Sequence, residues 1–248
     1  MILNLVDVSK TYDNSKFVLK KLSFNVHNNE FCALVGNNGC GKTTTINILC
    51  NLLSYNSGKV EIFDQQLTFD YVLYKNRVGI VLSEYSFIEE LSITDYLKFV
   101  CKFQKVPKSE TLKRIKDVID LFELNDYNDM TIEELSTGNK MKVSLCAAII
   151  HNPEFLILDE PFVNLDIQTT HKMVEILKSF KGRKSLLITS HNLDLVVELC
   201  DRFLIMNDGK ILLEINKNDY SSLDELKAFI KQLLTKEDFK IKQLDWLI

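Results

Sequence analysis

Apolar and polar residues alternate along ILNLVDVS and again along FVLKKLSFNV. Successive strand side chains point to opposite faces, so both stretches predict strands. FCALVG is a short apolar run ending in glycine, which predicts a buried strand. KTTTINILCNLL then predicts a helix, and GKVEIFD and RVGIVLS further strands. From about Ser92 to Ile150 the period becomes helical. SITDYLKFVCKF opens with the Ser-x-x-Asp spacing of a capping box. SETLKRIKDVIDLFEL keeps its apolar residues at helical spacing, and a third helix runs from Asn139 to His151, ended near Pro153.

Beyond that, EFLILDE and SLLITSH predict buried strands, and Asn192 opens a helix. RFLIMNDGKILLEI reads as strand, Asp-Gly turn and strand, a hairpin. SSLDELKAFIKQLL is an amphipathic helix with Ser222 and Glu225 placed as a capping box. Strands and helices alternate at both ends around a helical insertion. This predicts an α/β fold: a parallel sheet carrying an α-helical subdomain and an antiparallel flank.

A length of 248 residues suits one large domain, or a core with a subdomain. The net charge of -4 leaves no basic footprint for nucleic acid. Six scattered cysteines form no CxxC pair and no Cys/His cluster, which predicts free thiols in a reducing cytosol. The opening MILNLVDVSK lacks the pattern of a secretory signal. Apolar runs such as VSLCAAII fall well short of the roughly 20 residues that cross a bilayer, so the chain is not expected to enter a membrane by itself.

GNNGCGKT, Gly36 to Thr43, fits G-x-x-x-x-G-K-[ST] between a predicted strand and a predicted helix, the context that motif requires. Its glycines let successive N–H groups point at phosphate oxygens, and the helix N-terminus adds positive potential. The cradle is expected to comprise Gly36, Asn37, Asn38, Gly39, Cys40, Gly41, Lys42, Thr43 and Thr44. Lys42 would reach the β- and γ-phosphates and Thr43 would ligate Mg²⁺. A plain glycine turn is the competing reading, and it does not account for all the fixed positions. FLILDE ends an apolar strand in two carboxylates. Asp159 is expected to hold Mg²⁺ through a water. Glu160, next in a pleated strand, would face the other way and accept a proton from, or orient, the attacking water.

Together these residues resemble the ATP-binding cassette (ABC) family, over nearly the whole chain up to about Ile215. The resemblance implies an ABC ATPase of the P-loop NTPase class: one domain over residues 1–215, a helical subdomain at about 86–138 and a helical tail over 216–248. KTYDN places Tyr12 where the family stacks an aromatic ring on adenine. LSTGNKMKV stands where the family carries its LSGGQ signature, which implies ATP contacts from Ser136, Gly138 and Asn139. NLD matches the loop crossing the dimer interface, giving Asp166 that role. TSHN gives His191 the role of the switch histidine at the γ-phosphate. Taken singly, Tyr12 reads as a strand-end aromatic, His191 as a helix-start residue and LSTGN as an ordinary N-capped helix. His27, His151 and His171 match no motif and are expected at surfaces or helix ends.

The sequence departs from the family in two places. In the signature, Thr137 replaces a glycine and Asn139 a glutamine, which implies an altered but working site. Ser83 stands where the family has a glutamine that helps hold Mg²⁺ and links the site to the helical subdomain. Ser83 is shorter, so a bridging water or Glu84 would have to substitute. Within the cradle, Lys42 and the loop N–H groups are expected to favour a thiolate on Cys40, in a loop open to reagents.

The function implied is that of the ATP-hydrolysing subunit of an ABC transporter at the cytoplasmic face of the membrane. It would work as a dimer with a second cassette and drive separate integral membrane permease subunits, in the export direction suggested by EYSFIEELSITDYL. ATP and Mg²⁺ are the implied cofactors. The competing reading is an ABC ATPase of an assembly or regulatory complex without transport.

Overall fold

Residues 1–12, 16–67, 75–83, 87–163 and 165–235 are described by the structure, a computed structural model. Two sheets organise them. The first has the order β2 (Lys16–Val26), β1 (Leu3–Tyr12), β4 (Ser57–Ile62), β5 (Gln65–Gln66), and every pairing is antiparallel. In β1, strict alternation from Leu3 and Leu5 would aim Asp7 at the core. Instead Asp7 adopts φ 51, the pairing shifts between Leu5 and Val8, and Val8 takes the buried place. A bulge of this kind inserts one residue so that the apolar face is recovered.

The second sheet has the order β10 (Lys210–Asn216), β9 (Arg202–Asn207), β3 (Phe31–Val35), β8 (Ser185–Thr189), β7 (Phe155–Asp159), β6 (Val78–Val81). Its strands are parallel except for the β9–β10 hairpin. Every residue of β3, β7 and β8 is buried, because both faces are covered. Their alternate residues enter two cores. Phe31, Ala33 and Val35 join Leu156, Leu158, Leu186 and Ile188 on the face covered by most of the helices. Cys32 and Leu34 join Phe155, Ile157 and Leu187 on the face covered by the first sheet and α1 (Lys42–Leu49). Fully burying each of these larger side chains contributes roughly 1.5–3 kcal/mol.

The helices between β6 and β7 are α2 (Ile93–Phe103), α3 (Lys108–Leu121) and α4 (Thr137–Ile149). Ser92 caps α2, its hydroxyl accepting the Asp95 N–H at 3.2 Å. The α4 helix packs directly on β6: a Cβ at Gly79 would lie 2.1 Å from the Ala148 carbonyl oxygen, so any side chain there forces the helix off the sheet. Then follow α5 (Ile167–Lys178), α6 (Leu193–Leu199) and α7 (Leu223–Leu234).

The main element expectations hold, with local corrections. The first helix stops at Leu49 rather than Leu53, and α4 begins at Thr137 rather than Asn139. The capping box of α7 is displaced: Ser222 accepts from the Glu225 N–H, but the Glu225 carboxylate accepts from Ser221. The α5 helix was not anticipated. Its start, IQTTH, is poor in strong helix formers, and packing of Met173, Val174 and Leu177 holds it. No described helix is long and apolar enough to cross a membrane.

Candidate active site

In parallel strands the C-terminal ends share one edge of the sheet. Pairing aligns Leu34, Thr189 and Asp159 in a row across β3, β8 and β7. The loops after these three strands therefore meet, although β8 separates β3 from β7.

The loop after β3 carries the phosphate motif. Gly39 (φ 78) and Gly41 (φ 114) use the left-handed backbone that favours glycine. Gly36 is closely packed instead: a Cβ there would lie 2.3 Å from the Met206 carbonyl oxygen. No side chain caps the start of α1 at Gly41, so its first N–H groups are available to an anion. The Lys42 ammonium is buried and donates to the loop's own carbonyls, Gly36 at 2.8 Å and Asn37 at 3.3 Å. A cleft of about 290 Å³ is lined by Val18, Asn38, Gly39, Gly41, Lys42, Thr43, Thr44 and Glu160. The Tyr12 hydroxyl lies 3.4 Å from Thr44 Oγ1, with the ring half exposed beside the loop.

After β7 the two carboxylates part. Asp159 is buried, and its oxygens accept hydroxyl bonds from Ser83 (2.9 Å) and Thr189 (2.5 Å). The expected strand alternation does not aim Glu160. The strand ends at Asp159. The Glu160 N–H still donates to the Thr189 carbonyl and hydroxyl, each at 3.1 Å, but the residue itself takes φ 51. That backbone turn brings Glu160 into the phosphate-loop cleft. Its Oε2 accepts from the His191 backbone N–H (3.2 Å) and lies 2.9 Å from His191 Nδ1. The carboxylate is largely buried, whereas the imidazole is 67% exposed and free to meet a ligand.

Cys40 corrects an expectation. It is 5% exposed, and its burial raises the thiol pKa above the ordinary value; the nearby Lys42 opposes that shift without overcoming it. The side chain faces the interior between the sheets, where its Sγ would lie 2.7 Å from a Cβ at Gly36. Cys40 can offer the cradle its backbone, but it is not a reactive thiolate. All six cysteines are free and buried.

The structure thus gathers Gly36–Thr44, Ser83, Asp159, Glu160 and His191 at one edge. Ser136, Gly138, Asn139 and Asp166 do not line that cleft. Ser136 caps α4, its hydroxyl accepting the Asn139 N–H at 3.3 Å, and Thr137 fits as the first helical residue. Asp166 caps α5 by accepting from the Thr169 hydroxyl and N–H, which, in that order, lower its pKa. Asn164 and Glu84 lie outside the described residues.

Two contributors were missed from the sequence. Thr189, which holds both Asp159 and Glu160, is the one polar side chain closing the apolar run SLLIT, and that position was a readable signal. Gly209, whose N–H donates to the Cys40 carbonyl at 2.9 Å, carried no signal beyond its hairpin turn.

Known proteins resemble this chain in sequence and in fold. The sequence model of the family described as ABC transporter matches residues 19–163. An uncharacterized ABC transporter ATP-binding protein of Methanocaldococcus jannaschii, MJ1023, is 33% identical over 200 residues, which cover 80% of this chain and 72% of that protein. The spermidine/putrescine import ATP-binding protein PotA of Spiroplasma citri is also 33% identical, over 85% of this chain but only 60% of its own length. A solved ATP binding subunit of an ABC transporter superposes with a TM-score of 0.84 at 26% identity, covering 93% of this chain and all of that one. The cassette MJ0796 in a dimeric state bound to ADP and Pi has the same fold, with a TM-score of 0.80 at 24% identity. With the phosphate loop, the paired carboxylates and the histidine meeting at one sheet edge, and with these relatives, the chain belongs to the ABC transporter family as an ATP-binding cassette.

Proposed function

We propose that the chain is the ATP-hydrolysing subunit of an exporter, acting as a dimer on separate membrane subunits. The observation that carries the catalytic part is the shared cleft: Lys42, Thr43 and the Glu160 carboxylate line one cavity, and His191 holds that carboxylate. ATP phosphates would take the N–H groups of Gly39 to Thr44 and the Lys42 ammonium, which must first leave the Gly36 and Asn37 carbonyls. Tyr12 would lie against the adenine. Glu160 then accepts the proton of the attacking water, while the exposed face of His191 meets the γ-phosphate.

The donors available for Mg²⁺ are hard oxygens: the Thr43 hydroxyl, the Asp159 carboxylate and Ser83. Such a set suits an ion that binds through one or two carboxylates plus phosphate oxygens. When bound, Mg²⁺ would neutralise charge on the β- and γ-phosphates. The Ser83 and Thr189 hydroxyls fix the orientation of the Asp159 carboxylate, which supports its use as a ligand.

Ser136, Gly138 and Asn139 stand at an exposed helix start, which supports their use by the nucleotide of a second cassette, with Asp166 in the interface between them. A groove of about 320 Å³ between α2, α4 and β6 supports docking of a membrane subunit. Ile80, on the strand that leads into Ser83, lines it beside Tyr96, Phe99 and Phe103. Gln104 Oε1 also belongs to its lining and is buried without a hydrogen-bond partner. A docked segment with an apolar side and a donor would satisfy it.

Purification of the tagged chain from its own membranes tests this reading. A polytopic membrane protein should co-purify, stimulate hydrolysis, and be lost in Phe103→Glu while nucleotide binding stands. Recovery of only non-membrane partners would favour an assembly ATPase instead. Substrate movement in vesicles of known orientation decides export against the import named for PotA.

A further inference from the structure

One contact of the phosphate loop belongs to none of the roles above. The Asn37 side-chain amide donates to the Leu234 carbonyl at 3.0 Å, joining the loop to the last turn of α7 across 197 residues. The rest of α7 is fastened elsewhere. Leu226 and Ile230 are fully buried, and Lys227 pairs with Asp194 (2.7 Å) in the first turn of α6, just beyond His191. So α7 reaches from the histidine turn to the phosphate loop, and at the loop it is held by Asn37.

Asn37 is also where Lys42 rests, since its carbonyl accepts from the Lys42 ammonium at 3.3 Å. The Cys40 N–H donates to the same carbonyl, also at 3.3 Å. A phosphate that takes both donors, the Lys42 ammonium and the Cys40 N–H, frees the Asn37 peptide to turn. The side-chain bond to Leu234 depends on the orientation of the same residue. We propose that Asn37 is a positioning residue that couples nucleotide binding to the docking of α7: its bond to Leu234 latches the last helical turn, and a phosphate held by the loop weakens that latch. This rests on the reading of Gly36–Thr44 as a phosphate cradle. By linkage, whatever loosens the latch must favour nucleotide by the same factor that nucleotide loosens the latch. One partly exposed hydrogen bond corresponds to roughly a two- to fivefold change in affinity.

The test uses the whole chain and MgADP, which occupies the cradle without turnover. Hydrogen exchange of the last-turn amides of α7 and MgADP affinity are measured for the parent, Asn37→Ala and Lys227→Ala. The expected result is faster exchange in the parent when MgADP binds. Asn37→Ala should exchange fast without nucleotide and bind MgADP about two- to fivefold more tightly. Lys227→Ala, which leaves the loop intact, should shift both readouts the same way and keeps the test usable if the first variant does not fold. Weaker or unchanged binding in Asn37→Ala, or faster exchange in Lys227→Ala with no gain in affinity, overturns the coupling. If the parent binds no MgADP, the cradle reading fails and this inference falls with it. If it binds MgADP and α7 exchange stays unchanged, only this inference falls.

Discussion

Replacing Glu160 by Gln isolates proton acceptance from every other contribution of that residue. Gln has the same length and keeps an oxygen that can accept from the His191 backbone N–H and Nδ1, the two contacts of Oε2. The left-handed backbone at φ 51 is equally costly for both residues, so it cancels in the comparison. The fold should therefore change by no more than about 1 kcal/mol. The cleft keeps Lys42, Thr43 and its glycines, so MgATP should still bind. Loss of a positioned general base costs about 10²- to 10⁴-fold in rate, or roughly 3–5 kcal/mol of barrier. Steady-state phosphate release measures the rate, equilibrium binding the affinity, and gel filtration with MgATP the dimer expected to accumulate. His191→Ala, which keeps the base but removes its side-chain partner, should be slowed less. Turnover near the parent value in Glu160→Gln would remove Glu160 from proton transfer; loss of MgATP binding would show that it holds nucleotide instead.

Ser83→Gln should preserve or raise hydrolysis, because a longer amide can still donate to Asp159 as the Ser83 hydroxyl does; abolished hydrolysis with the fold intact would mean a different loop geometry. Maleimide should label the native chain slowly at neutral pH, since the Cys40 thiol is buried with a raised pKa, and the rate should climb about tenfold per pH unit as thiolate forms; fast labelling that disappears in Cys40→Ser would contradict this. His151 is held neutral by burial, its pKa lowered below the ordinary 6.5. The unfolded chain then binds the proton first, so the contribution of this residue to stability is intact above about pH 6.5 and shrinks as pH falls toward the folded value. His151→Gln should flatten the urea midpoint between pH 7 and 5.5, and an unchanged slope would refute that assignment.

What is local was legible in the order of the residues. GNNGCGKT between an apolar strand and a helix specifies a phosphate cradle because the glycines, the lysine and the helix start are consecutive in the chain. FLILDE delivers two carboxylates to a strand end for the same reason, and the Asp-Gly hairpin and the serine caps are read within a few residues. What lies far apart in sequence was decided by the tertiary structure. Pairing of β8 between β3 and β7 carries His191 to Glu160 across 31 residues, and the left-handed backbone at Glu160, not strand alternation, brings that residue into the cleft. The same packing reversed the expectation for Cys40. Adjacent charge in the sequence favours a thiolate, but burial between the sheets costs the charged form more than Lys42 returns. The Asn37–Leu234 contact carries no local signal at all. Motifs fix which groups stand ready for chemistry; desolvation and long-range register fix which of them meet, because both depend on neighbours that the linear order does not supply.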